Sequence, residues 1–439
     1  MREMKNSGVA WIGEIPGDWS LIRFKDKYVS KKEVAGEKSY EYERLALTLN
    51  GVIKRPKDDS EGLQPKEFDG YQILRENDFV FKMIDLQNIS TSRVGLSPYT
   101  GLVSPAYIKF SPRTKEQNNK FVYYYLMSLY YNCVYNNLGG NGVRSALNAK
   151  DMGEFVIPYP NETLQAQISA LLDVKSAQID TLITNQEAQI EKLKQYKQSL
   201  ITEVVTKGLN PNVEMKDSGV EWIGLIPKHW NVVKIKRIAD RNHPYAIGDG
   251  DHGLIKPDDY KESGIPYIRV QNLGWATDID TSNIVYISED TNQKIKGSTL
   301  RPNDILLAKT GGTIGKTAIV PASMPISNTT SHVGKISVSD KYCANYIFYV
   351  LSSSVGYRQF WEYASSKTTR PELAIDELKQ ILITLPSQLE EQKEIVAYLD
   401  EECAKIDKLI EIKQSKIAKL NEYKKSLIYE YVTGKKEVV

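Results

Sequence analysis

Met4–Trp19 reads Met-Lys-Asn-Ser-Gly-Val-Ala-Trp-Ile-Gly-Glu-Ile-Pro-Gly-Asp-Trp. It returns 211 residues later as Met215–Trp230, Met-Lys-Asp-Ser-Gly-Val-Glu-Trp-Ile-Gly-Leu-Ile-Pro-Lys-His-Trp, identical at eleven of sixteen positions. A second repeat follows in the same order. Gln165–Thr206 matches Gln392–Thr433 at an offset of 227, including Leu-Asp at 172–173 and 399–400, Ile-Asp at 179–180 and 406–407, and Tyr-Lys-x-Ser-Leu-Ile at 196–201 and 423–428. The chain is therefore two copies of one unit of about 200 residues, each long enough to bury its own core. A tandem pair predicts a pseudo-twofold object, suited to a partner that is itself nearly symmetric.

The second repeat is helical. Ile168, Leu172, Ile179, Leu182, Ile190, Leu193, Leu200 and Val204 recur at steps of three, four and their sums, and Ile395, Leu399, Ile406, Leu409, Ile417, Leu420, Leu427 and Tyr431 repeat the pattern. This spacing predicts a coiled-coil seam. Gly208 and Pro211 stop the first helix, while Pro158, Pro160 and Pro386-Ser387 precede the two starts. Each helix of about 42 residues is expected to run roughly 63 Å if straight, a spacer. Residues 165–207 carry five Lys against five Asp plus Glu, which suits a partner helix better than a basic DNA-binding rod.

The blocks before each helix alternate short β-rich runs with Gly, Asn, Asp and Ser turns and read as mixed α/β globular domains. The organisation expected is 1–160 and 211–386 for the globular domains, 161–210 for the first helix and linker, and 387–439 for the second helix. Leu74-Arg75-Glu76-Asn77-Asp78 before Phe-Val-Phe answers Leu300-Arg301-Pro302-Asn303-Asp304 before Ile-Leu-Leu, a turn feeding a buried strand. Phe121–Leu126 answers Tyr346–Leu351 as an amphipathic helix. Arg144, Leu147, Met152, Phe155, Ile157 and Pro160 answer Arg370, Leu373, Leu378, Ile381, Ile383 and Pro386 at an offset of 226. The middles diverge, so one scaffold is expected to carry two specificities.

A formal charge of +2 gives no bulk electrostatic hold on nucleic acid, so any such binding must be local and shaped. Cys133, Cys343 and Cys403 lack CxxC spacing, which argues against disulfides or zinc. No run of eighteen apolar residues and no apolar leader are present, and a cytoplasmic, membrane-free protein is expected. Catalytic patterns fail one by one. Lys309–Thr317, Lys-Thr-Gly-Gly-Thr-Ile-Gly-Lys-Thr, has Thr310 where a P-loop needs glycine, and leads into a strand instead of a helix. Pro257-Asp258-Asp259-Tyr260-Lys261 lacks nuclease spacing and reads as a turn, and neither an Asn/Asp-Pro-Pro-aromatic loop nor a cofactor glycine loop of an amine methyltransferase occurs.

The remaining polar groups suit DNA. Gln87, Asn88, Gln271 and Asn272 carry amides that can pair bidentately with adenine, and Arg93, Arg144 and Arg370 can do so with guanine. Ser90, near Arg93, and the cluster Ser327–Ser331 can contact phosphate or remain solvated. A glycine-rich hairpin with Lys309, Thr313 and Lys316 exposed can approach a DNA backbone, because glycine lets main-chain amides reach phosphates. A plain hairpin and amides that tie down turns account for these residues equally well.

Together the Ser-Gly-Val-x-Trp-Ile-Gly-x-Ile-Pro-x-x-Trp openings, the paired long helices, and the Gly-Gly-Thr-Ile-Gly-Lys and Gly101–Tyr107 segments resemble the specificity subunit of type I restriction-modification systems. The likeness spans the whole chain. It implies two target-recognition domains, each reading half of a bipartite asymmetric site in double-stranded DNA, with two antiparallel helices between them. Those helices would dock two modification subunits, through residues such as Ile179, Leu182, Leu193, Leu200, Ile406, Leu409, Leu420 and Leu427, and a restriction subunit would join the full complex. The partner, not this chain, would bind S-adenosylmethionine and methylate adenine, leaving this chain non-catalytic. A spacer of roughly 63 Å spans about two duplex turns of about 34 Å, so an unread gap between half-sites is expected. Leu182→Asp with Leu409→Asp is expected to break the helix pair by burying charge in the seam. The competing reading is a coiled-coil scaffold whose globular domains bind protein or glycan, which the near-neutral charge and 27 tyrosines also fit.

Overall fold

The computed structural model describes residues 3–438 except 50, 60–66, 87–90, 92, 115–116, 139–145, 252 and 366–370, and leaves the side chain of Ser365 undescribed. The chain divides into two compact units, residues 1–186 with 414–439 and residues 187–413. The division runs through both long helices. The first, Glu162–Lys207, and the second, Leu389–Val432, each give one portion to either unit.

In the first unit the strands Tyr28–Val29, Ile108–Pro112, Phe79–Phe81 and Val94–Leu96 form one sheet in that order, and Gly51–Arg55, Arg44–Thr48, Gly101–Val103 and Gln72–Leu74 form another. The second unit repeats the first sheet as Ile247–Asp249, Val333–Ile336, Ile305–Ala308 and Thr317–Ile319, and answers the other with Val285–Ile287, Ile265–Ile268 and Asn328–Thr329. In both units an antiparallel pair is extended by one parallel neighbour, Leu102 beside Arg44 and Asn328 beside Tyr267. One connection differs sharply. Arg44–Thr48 and Gly51–Arg55 are separated only by Leu49 and Asn50, whereas the matching strands Ile265–Ile268 and Val285–Ile287 are joined by residues 269–284.

The turn before each central strand is built identically. Asp78 and Asp304 accept from the backbone N–H of Arg75 and Arg301 at 2.9 Å, and Asn77 and Asn303 both adopt φ 66°, the left-handed conformation asparagine tolerates. The aromatic segments are helices, Asn119–Tyr131 and Ala344–Ser352. Asn118 caps the former by accepting from Phe121 N at 3.2 Å.

The opening motif owes its repetition to packing. Ser7 N donates to Gly13 O and Ser218 N to Gly224 O, closing a tight loop in which the motif's glycines hold positive φ. Asn6 and Asp217 accept from the N–H of Gly8 and Gly219 at 2.8 and 2.9 Å, so either residue serves. The loop places a tryptophan in each core. Trp19 meets Phe121 edge-on at 6.2 Å, and Trp230 meets Tyr346 at 6.3 Å. Each tryptophan also packs against the glycine that ends a long helix, Gly434 beside Trp19 and Gly208 beside Trp230. The first unit is thereby closed by both chain ends, with Tyr429 and Lys435 donating to Ile12 O at 3.1 and 2.8 Å.

The helical seam differs from its sequence pattern at one matched pair. Ile168, Leu172, Ile179, Ile395, Leu399, Ile406 and Leu427 are buried, many of them against the globular cores. Leu182 and Leu409 are instead 45% and 47% exposed. A charge at either would face water, so the expected disruption of the helix pair is corrected. The stripe that is buried is the one each globular domain covers, and these two leucines lie off it.

Candidate nucleic-acid interface and docking surface

The polar candidates separate by where the fold sends their side chains. Gln87, Asn88, Ser90, Arg144 and Arg370 lie outside the described residues. Arg93 is turned inward at 1% exposure, donating to the carbonyls of Lys82, Ile84 and Asp85 at 3.2, 2.7 and 2.6 Å. It fastens the chain that leaves the strand Phe79–Phe81, and burial holds its pKa below the usual arginine value. Asn272 is likewise buried: its amide donates to Asp280 O at 2.8 Å and accepts from Arg269 N at 2.9 Å. The edges that base reading requires are, for these two, occupied within the fold. Gln271, one residue away, is exposed.

The glycine-rich segment is a hairpin, Ile305–Ala308 pairing antiparallel with Thr317–Ile319 around a short 3-10 turn at Gly311–Thr313. Lys309 is not on its surface. Only 4% exposed, it pairs with Asp249 at 3.0 Å and Glu372 at 3.1 Å, two carboxylates that remove it as a free phosphate contact. Thr313 donates to Thr310 O at 2.8 Å, and Lys316 is half-buried. A side chain built on Gly311 or Gly312 would meet nothing within 4 Å, so there is open space beside the turn, although Gly311 N already donates to Pro371 O at 2.8 Å.

A repeated buried lysine was absent from the sequence reading. Lys109 donates to Ile73 O at 2.8 Å with Asp78 at 3.6 Å, and Lys335 donates to Thr299 O at 2.7 Å. Both stand 31 residues after the turn aspartate, a spacing visible in the sequence once the repeats are aligned. In the second unit His243 Nε2 lies 3.3 Å from Lys335 Nζ. Burial first, then the Lys335 charge, pushes the His243 pKa below its ordinary value; burial lowers that of Lys335.

The helices carry a second repeated constellation. In the second unit Lys197 pairs with Asp407 at 2.6 Å, and in the first Lys424 pairs with Asp180 at 2.7 Å. Tyr349 donates to Asp400 at 2.6 Å and Tyr124 to Asp173 at 2.8 Å, tying each aromatic helix to a long one. Among the expected docking residues Ile179, Ile406 and Leu427 are buried and Leu193, Leu200 and Leu420 half-buried, leaving Leu182 and Leu409 outward. The sequence reading missed their companions. Tyr196 and Tyr423, also 227 residues apart, are 56% and 54% exposed.

A family model described as the type I restriction modification DNA specificity domain matches residues 20–192 and 227–422, most of the chain and both copies of the repeat. The chain belongs to this specificity family. Among its relatives, the type I restriction enzyme MjaVIII specificity subunit of Methanocaldococcus jannaschii is 27% identical, over 96% of this chain and 93% of that one. The EcoBI specificity subunit of Escherichia coli is 27% identical, over 73% of this chain and 66% of that one. A solved chain, described in terms of complex assembly and conformational transition of the type I R-M system, shares the fold with a TM-score of 0.62 at 15% identity, covering 95% of this chain and 98% of that one.

Within the specificity family fold seen here, the repeated features and the divergent ones occupy different places. Ion pairs, opening motif and outward Leu and Tyr residues recur in both units, whereas residues 268–284 answer the shorter hairpin 45–54, in which only Leu49 and Asn50 lie outside the strands. Cys133, Cys343 and Cys403 are free thiols. Among the described residues no group of three His, Cys, Asp or Glu is placed to hold a metal, and no helix is long and apolar enough to cross a membrane.

Proposed function

We propose that this chain is the DNA-reading subunit of a type I restriction-modification complex, each unit reading one half of a bipartite, asymmetric site. One observation carries the asymmetry: the two units share sheet order and turn chemistry but differ in the connection between matching strands, 269–284 against Leu49 and Asn50. A common scaffold with unlike loops reads unlike words. Leu182 with Tyr423 in the first unit, and Leu409 with Tyr196 in the second, are large apolar groups left open at matched positions of the two helices, whereas the exposed Val174, Tyr398 and Ile412 have no exposed apolar counterpart 227 residues away. Each pair lies within a turn or so of its unit's ion pair along the helices. Two equal patches fit two copies of one partner, the modification subunit, with a restriction subunit joining the assembly. Transfer of methyl from S-adenosylmethionine to adenine belongs to that partner.

Modified-base sequencing of a host genome, with and without this chain expressed beside its methyltransferase, tests the reading. A bipartite non-palindromic adenine-methylated motif that depends on the chain is expected. A palindromic motif, or none while a stable complex forms, overturns it; a protein- or glycan-binding scaffold would also show no salt-sensitive DNA binding.

A further inference from the structure

The segment 269–284 is pinned at its base and presents a tryptophan. Asp280 N donates to Asn272 O at 2.9 Å while the Asn272 amide returns to Asp280 O at 2.8 Å, closing the segment on itself. Thr317 N donates to Gly274 O at 3.0 Å, which fixes the next residue, Trp275, beside the hairpin. Trp275 meets Tyr357 at 5.8 Å with the rings inclined by 67°, and Tyr357 meets Trp361 at 6.2 Å. Gly315 is required beneath them: its φ is +94°, and a Cβ there would stand 2.7 Å from Tyr357 Cδ2 and 3.5 Å from Trp275 Cζ3.

Despite this support, Trp275 remains 51% and Tyr357 42% exposed. The rings stand at the hairpin whose turn carries Gly311 and Gly312 with open space beside them, with half-buried Lys316 and exposed Arg358 next to them in sequence and Gln271 exposed on the same segment. A surface for the duplicated protein partner should itself be duplicated, as the outward Leu and Tyr residues of the helices are. Trp275 is not: by strand register Arg44 and Arg55 match Tyr267 and Val285, so residues 45–54 answer its segment in the first unit, and they include no aromatic residue. What is present once must meet what differs between the halves, and under the reading proposed above, on which this rests, that is the DNA half-site.

We propose that Trp275, braced by Tyr357, makes an apolar contact with the base pairs of the half-site read by the second unit and sets specificity there. Apolar side chains discriminate bases by meeting a thymine methyl or by entering a base step, and neither needs net positive charge.

The test uses the chain complexed with its methyltransferase and duplexes carrying the motif found by modified-base sequencing, with every base pair of both half-sites substituted in turn. Trp275→Ala should weaken cognate binding about tenfold or more, flattening discrimination at one or two adjacent positions of one half-site. Affinity for unrelated DNA, discrimination across the other half-site and assembly on a sizing column should not change. Trp275→Phe should restore most of the loss. Wild-type discrimination at every position in Trp275→Ala overturns the proposal, as does failed assembly with DNA discrimination kept, which would mark a protein-docking surface. A wild-type complex with no sequence preference overturns the DNA-reading function and this inference together, and so is told apart from failure of the inference alone.

Discussion

Lys197 reaches across to Asp407 at 2.6 Å, and the residues 227 positions from each, Lys424 and Asp180, make the same bond with the helices' roles exchanged. The first helix supplies the cation in one unit and the anion in the other. Only an antiparallel pair of equivalent helices lets one repeated sequence satisfy itself in this way.

The lysines of these pairs are largely covered, at 14% and 19% exposure, while the aspartates face solvent at 55% and 56%. Lys197→Ala should therefore cost no more than about 1 kcal/mol. The reversal Lys197→Asp with Asp407→Lys should recover part of what either single reversal loses. Thermal unfolding in low and high salt checks this, with the difference shrinking as salt rises.

Because Leu182 and Leu409 are half exposed, Leu182→Asp with Leu409→Asp should leave helical content unchanged and stability within about 0.5 kcal/mol per site. Assembly with the methyltransferase should fail. Circular dichroism and a sizing column separate the two effects: an unfolded double variant would return these leucines to the seam.

Arg93→Ala removes a buried guanidinium that donates to three part-buried carbonyls and should destabilise the first unit by about 1–3 kcal/mol. The motif methylated by whatever protein remains folded should be unchanged. Urea unfolding beside modified-base sequencing reads both, and an altered motif in a fully stable protein would return Arg93 to the DNA.

His243 gives the second unit a pH dependence. Its folded pKa lies below the ordinary value, through burial first and the Lys335 ammonium second, so the unfolded chain takes up a proton before the folded one does. The stability held by the neutral ring is fully present above about pH 6.5 and falls as pH drops from there. Urea unfolding at about pH 7 and pH 5 should show a steeper loss for the wild type than for His243→Gln; equal losses would remove His243 as the cause.

Sequence alone determined that this protein is a doubled unit, where its long helices start and where the first one stops, that each central strand follows an Arg-x-Asn-Asp turn, and that catalytic patterns are missing. Those properties are local or periodic: proline and glycine act on their own backbone, a stripe recurs every three or four residues, and a repeat is visible as identity. Only the tertiary structure decided which polar groups look inward. Arg93 is claimed by carbonyls at 82–85, Asn272 by its own turn, and Lys309 by Asp249 and Glu372, partners whose proximity exists only once the strands are paired. It likewise decided that Leu182 and Leu409 face water, because helical spacing marks a stripe but burial depends on what is packed against it. The unlike connections between matching strands, two residues against 269–284, stood in the sequence as mere divergence and acquired meaning when sheet order showed them to be the same place in the fold.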